Sequence, residues 1–196
     1  LIAAMHDMLQ KTDNPKEQAD IRKNQLHGLE LQPYMFTIAT TNMILRGDGK
    51  SNLEQEDFLK YNPSQLQEKS CTVGMMNPPY SMGNKNSPSL YEINFTEHLL
   101  NSVVQDGKVV VIVPQSTMVG KTKEEQATKE NILKHHTLEG VVTLNKNSFY
   151  GVGTNPCIAI FTAGVPHYKE KNVKFINFEN DGFEVQKHRG LVETIQ

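Results

Sequence analysis

The stretch Asp106-Gly107-Lys108-Val109-Val110-Val111-Ile112-Val113-Pro114 decides the fold. Five consecutive β-branched residues without polar alternation suit a strand buried on both faces, as the inner strands of a parallel sheet are. Asp106-Gly107 supplies a turn before the run and Pro114 ends it. Upstream, residues 90–105 carry Ile93, Phe95, Leu99, Leu100, Val103 and Val104 at helical spacing, and Cys71, Val73, Met75 and Met76 mark a short strand at 71–76. Downstream, residues 122–136 read as a charged helix whose Lys123, Glu124, Glu125 and Lys129 form a solvated face. Strands follow at 141–144, 157–161 and 173–178, and then a polar tail with Lys187, His188 and Arg189. On the amino-terminal side a helix at 1–11 is broken by Asp13-Asn14-Pro15, and a polar stretch runs to Gln25. A short strand at 26–31 and a helix at 33–46, opened by Pro33 and closed by Gly47, complete the pattern. Strand and helix alternate, which predicts an α/β fold with a mostly parallel sheet and helices on both faces, in one domain spanning 1–196.

Composition narrows the partners. A net charge of −2 over 196 residues gives no global positive field, so contact with nucleic acid would need a local patch or a partner's charge. The two cysteines, Cys71 and Cys157, lie inside apolar runs and read as small core residues in a reducing, cytoplasmic setting. No run is long enough to span a membrane, and no metal-ligand spacing is visible; His135-His136 reads as a solvated helix end. Gly47-Asp48-Gly49-Lys50-Ser51 lacks the strand and spacing of a phosphate-binding loop and reads as a turn.

The strand at 71–76 opens into Asn77-Pro78-Pro79-Tyr80. Open α/β sheets bind ligands at the carboxyl ends of their strands. Two prolines fix φ, remove two N–H donors and restrict Asn77 itself. A stiff backbone thus stands beside an amide that accepts and donates, with an aromatic ring next to it. The set suits an amino group on a flat heterocycle or an amide; a plain rigid turn is the other reading.

These residues carry a resemblance. The chain resembles the amino-methylating, S-adenosylmethionine-dependent DNA methyltransferases, and more narrowly the modification (M) subunit of type I restriction–modification systems. Four segments carry it in order: 27–49, Met75–Ser81, 106–116 and 138–161. It implies a Rossmann-like fold, transfer of methyl to adenine N6 in double-stranded DNA, and a base flipped out of the duplex. Asn77, Pro78, Pro79 and Tyr80 then match the catalytic tetrapeptide, with Asn77 also beside the methyl donor. Glu30 matches the acid that holds the donor's ribose hydroxyls, and Asp57 with Phe58 the position beside its adenine. Tyr80 would stack on the flipped base, Phe149 or Tyr150 could offer a second face or anchor a loop, and Lys85, Lys121 and Lys146 could meet phosphates. The implied partners are DNA and a DNA-specificity subunit, with a restriction subunit left open.

The family's glycine-rich donor segment and first strand are expected just before a helix resembling residues 1–8. The chain starts inside that pattern, so it reads as an amino-terminally truncated piece, expected neither to bind the donor nor to methylate alone. The same tetrapeptide also serves enzymes acting on a protein glutamine or an RNA guanine. A non-catalytic DNA-binding or assembly module is the remaining alternative.

Overall fold

The structure, a computed structural model, describes residues 1–47, 52–120, 122–149, 153–186 and 189–194. It divides into two compact units, Leu1–Asn62 and Pro63–Gln196.

The first unit runs α1 (Ile2–Leu9), α2 (Pro15–Asn24), β1 (His27–Leu29), α3 (Pro33–Leu45) and β2 (Asn52–Glu54). Strands β1 and β2 pair in parallel, Leu29 opposite Glu54. Met5, Ile21, Leu26 and Met43 form its core, with Ile2, Met8, Leu9 and Leu53 packed against them. The polar stretch expected to run to Gln25 is the helix α2. Asn14 caps it, accepting from the Lys16 amide at 3.0 Å, and Pro15 fills the first turn. Only Ile21 is buried there, so hydropathy alone gave no sign of it.

The second unit contains α4 (Pro63–Glu68), β3 (Val73–Met76), α5 (Glu92–Ser102), β4 (Lys108–Pro114), α6 (Gln115–Val119), α7 (Lys123–His135), β5 (Thr137–Leu144), β6 (Pro156–Thr162), β7 (Lys174–Phe178), β8 (Phe183–Gln186) and β9 (Gly190–Glu193). Strands β8 and β9 form a separate antiparallel hairpin. The main sheet has the order β3-β4-β6-β5-β7. Pairing is parallel for β3 with β4 and for β5 with β7, and antiparallel for β6 with both its neighbours. Four strands therefore point one way and β6 alone is reversed, which bears out the mostly parallel sheet. The helical crossovers α5 and α6–α7 make the parallel directions possible.

Val109, Val111 and Val113 of β4 are fully buried. Gly74, opposite Val109 in register, lets α5 approach β3: a Cβ there would lie 2.9 Å from Val103 and 3.1 Å from Leu99. The face of β3 carrying Val73 and Met75 is exposed within this unit. No helix among the described residues is long and apolar enough to cross a membrane.

Two polar readings change. Glu125 and Lys129 are not merely a solvated face, because Glu125 caps α7 with Thr122 and Lys129 donates to carbonyls at the end of α6, as described below. His136 is not solvated: it is buried, and its Nδ1 accepts the Gly164 amide N–H at 3.0 Å. Burial, with the neighbouring His135 adding to it, lowers its pKa from 6.5 to about 4. Between those two values the unfolded chain binds the extra proton and the folded chain does not. Stability therefore falls as pH drops from 6.5 toward 4, by on the order of 3 kcal/mol at most. Urea midpoints should drop more steeply across that window for the wild type than for His136→Gln; equal slopes would contradict the assignment.

Candidate functional site

Residues 77–80 leave the carboxyl end of β3 one step after the Met76–Val111 pair. Asn77 is exposed, Pro78 buried and Pro79 exposed. No hydrogen bond joins the Asn77 amide to a described residue, so its oxygen and its two N–H groups are free to meet a ligand. Pro78 anchors the turn by burial, and its missing N–H leaves no orphan donor.

Tyr80 is half-buried. Its hydroxyl donates to the Ile112 carbonyl on β4 at 3.3 Å, and its ring meets Phe149 edge-on, centroids 6.2 Å apart at 76°. Burial pushes the phenol's pKa up, with lesser contributions from Cys157 and Glu92. Of the two aromatic residues expected on the loop after β5, Phe149 is therefore beside Tyr80. Tyr150 lies outside the described residues. Ser81, next in the chain, has φ 60°, and its amide donates to Glu92 Oε1 at 2.7 Å.

Side chains of α7 hold the described residues on either side of its start. Thr122 and Glu125 form a reciprocal capping box at the start of α7. The Lys129 ammonium donates to the carbonyls of Gly120 at 2.6 Å, Met118 at 3.3 Å and Thr117 at 3.4 Å. Burial lowers the Lys129 pKa, with Glu125 opposing. Sequence reading missed Glu92 and Lys129 as structural tethers; a first-turn acid and a helix lysine signal only dipole matching and solvation.

In the first unit, Glu30 follows β1 and Asp57 follows β2, so two carboxylates stand beyond the carboxyl ends of adjacent parallel strands. The Glu30 amide extends the ladder to the Glu54 carbonyl at 3.1 Å. Glu30 Oε1 accepts from the Gln32 amide at 2.8 Å, and Oε2 accepts no hydrogen bond from a described residue. One half-exposed carboxylate oxygen is thus available for hydroxyl donors. Asp57 is more engaged: Oδ1 accepts from the Leu59 amide at 3.1 Å and Oδ2 faces exposed Lys60 at 3.3 Å. Phe58 beside it is half-buried. Lys85 and Lys146 are exposed, whereas Lys121, Lys187 and His188 lie outside the described residues, as does most of 47–51.

A mostly parallel sheet with a proline-stiffened, amide-bearing turn at a strand's carboxyl end defines a methyltransferase-like α/β protein. The model of the N-6 DNA Methylase family matches residues 1–194, and the chain belongs to that family. It is 51% identical over 193 residues to "Type II restriction enzyme and methyltransferase RM.BcgI" of Heyndrickxia coagulans, covering 98% of this chain and 30% of that protein. The chain thus spans less than a third of the length of that relative. In fold it is similar to a modification subunit of a putative type I restriction enzyme from Vibrio vulnificus (TM-score 0.77, 15% identity, 100% of this chain and 43% of the other). It is similar also to the type I restriction enzyme EcoKI M protein (TM-score 0.67, 18% identity, 83% and 35%). The resemblance to N6-adenine DNA methyltransferases is borne out.

Proposed function

We propose that the protein transfers a methyl group from S-adenosylmethionine to the N6 amino group of adenine in double-stranded DNA, within a restriction–modification system. In this reading both units belong to one catalytic domain, as the family model's match to 1–194 supports. One observation carries the reading: the exposed, unengaged Asn77 amide on a proline-fixed turn at the carboxyl end of β3.

Adenine N6 is a poor nucleophile because its lone pair is delocalised into the ring. The Asn77 amide oxygen and the Pro78 carbonyl accept its two hydrogens. Those bonds favour a pyramidal nitrogen and stabilise the positive charge that develops on it. No strong general base is needed, since the surplus proton is acidic once nitrogen carries a fourth bond and passes to water. The base must leave the duplex to reach the turn, and Tyr80 stacks on it, a contact worth roughly 1–3 kcal/mol. The edge-on Phe149 supports that ring. Lys85 and Lys146 are the exposed cations we assign to phosphate contact.

Glu30 fits the donor's ribose end, because its Oε2 is free to accept from two hydroxyls. Asp57 and Phe58 stand beside the donor's adenine. When bound, S-adenosylmethionine supplies an electrophilic methyl group on a sulfonium.

We assign a DNA-specificity subunit as partner, in keeping with the resemblance to type I modification subunits. The name of RM.BcgI joins restriction to methylation, and we extend that coupling to this protein. Incubating the full-length protein with labelled donor and, in parallel, duplex DNA, RNA and protein tests the reading. Label in DNA N6-methyladenine is the expected result; label confined to RNA or to a protein glutamine overturns it.

A further inference from the structure

Glu92 is a buried acid to which the chemistry above gives no task. It is 8% exposed, stands in the first turn of α5, and its Oε1 accepts the Ser81 amide N–H at 2.7 Å. Ser81 directly follows Tyr80, and its φ of 60° lies in the left-handed region, which a residue with a Cβ enters only at a cost. Such a conformation lasts where its surroundings over-determine it. Here they do. The Tyr80 hydroxyl is held at Ile112. Gly83 lies so close to the Tyr91 backbone that a Cβ would come within 2.5 Å of its nitrogen. Between these two anchors, Glu92 holds the Ser81 peptide. The positive end of α5 favours a carboxylate at that position, so the acceptor is itself fixed.

We propose that Glu92 is the positioning residue of the methyl-transfer site. By gripping the Ser81 N–H it sets the peptide plane after Tyr80, and with it the direction of the Tyr80 ring and of the Asn77 and Pro78 acceptors. It touches neither substrate nor donor, and no proton passes through it. This inference rests on the function proposed above.

Two variants of the full-length protein separate the hydrogen bond from the space it fills. Glu92→Gln keeps an acceptor oxygen, whereas Glu92→Met keeps the length and loses the acceptor. With target duplex and saturating donor, single-turnover methylation should fall about tenfold or more in Glu92→Met and stay within about threefold in Glu92→Gln. Donor affinity by calorimetry should be unchanged in both. Fluorescence of 2-aminopurine at the target base should show the flipped base bound less rigidly in Glu92→Met alone. Wild-type turnover in Glu92→Met, or equal loss in both variants, overturns the proposal. Should Glu92→Met fail to fold, Glu92→Gln decides: retained transfer sustains the role and a tenfold loss refutes it. Asn77→Ala in the same assay guards the underlying reading. If that variant turns over normally, the function fails; if it is dead while Glu92→Met is normal, only the positioning role fails.

Discussion

Replacing Asn77 by Ala should lower single-turnover methyl transfer to duplex DNA by about 10²–10³-fold, the loss typical of removing one preorganised group aimed at developing charge. In the proposed reaction the amide oxygen accepts one of two amino hydrogens, so its loss leaves the nitrogen nearer planarity, with its lone pair still shared with the ring. Donor affinity, by calorimetry, should stay within a few fold, because the ribose and adenine contacts assigned to Glu30 and Asp57 are untouched. Stability should change by no more than about 0.5 kcal/mol, since the side chain is exposed and holds no described partner. That combination separates chemistry from folding. Turnover within threefold of wild type would remove Asn77 from the reaction and leave Pro78 as the sole acceptor on the turn.

What the sequence disclosed follows from which forces are local. The β-branched run of β4 and the apolar run of β6 needed no partner to be recognised, and both are strands at those places. The tetrapeptide was legible for the same reason, because two prolines constrain the backbone whatever surrounds them. Elements whose identity comes from elsewhere were not. Strand β2 is three residues with one apolar side chain, and it exists because β1 offers a parallel edge. Strand β5 begins at Thr137, ahead of the visible valines, through a bulge between Leu138 and Gly140. The burial of His136 depends on the Gly164 amide, a residue 28 positions away. Glu92 meets Ser81 across 11 residues and Lys129 meets Gly120 across 9, separations at which composition carries no information on contact. The turn that carries the proposed acceptor was thus readable, and the contacts that hold it were not.

Those supports predict a large effect at a residue that no catalytic argument singles out. A Cβ added at Gly83 would lie 2.5 Å from Tyr91 N and Cδ1 and 2.6 Å from its Cα. The ring can turn away, but the backbone atoms cannot, because Tyr91 is the N-cap of α5 and α5 is packed on β3 and β4. The segment 81–83 must therefore shift, and it leads directly from Tyr80. Gly83→Ala should cost about 1–3 kcal/mol in stability through overpacking. It should also cost about 10²-fold in transfer, the scale of a displacement of roughly 1 Å at a reacting group. Single-turnover assays well below the variant's melting temperature, with folding checked by circular dichroism, keep the two losses apart. If stability falls while transfer does not, the strain is absorbed between Gly83 and Ser81, and the tetrapeptide is held by Pro78 and the Tyr80–Ile112 bond alone. A joint loss shows that the turn and the start of α5 form one rigid piece.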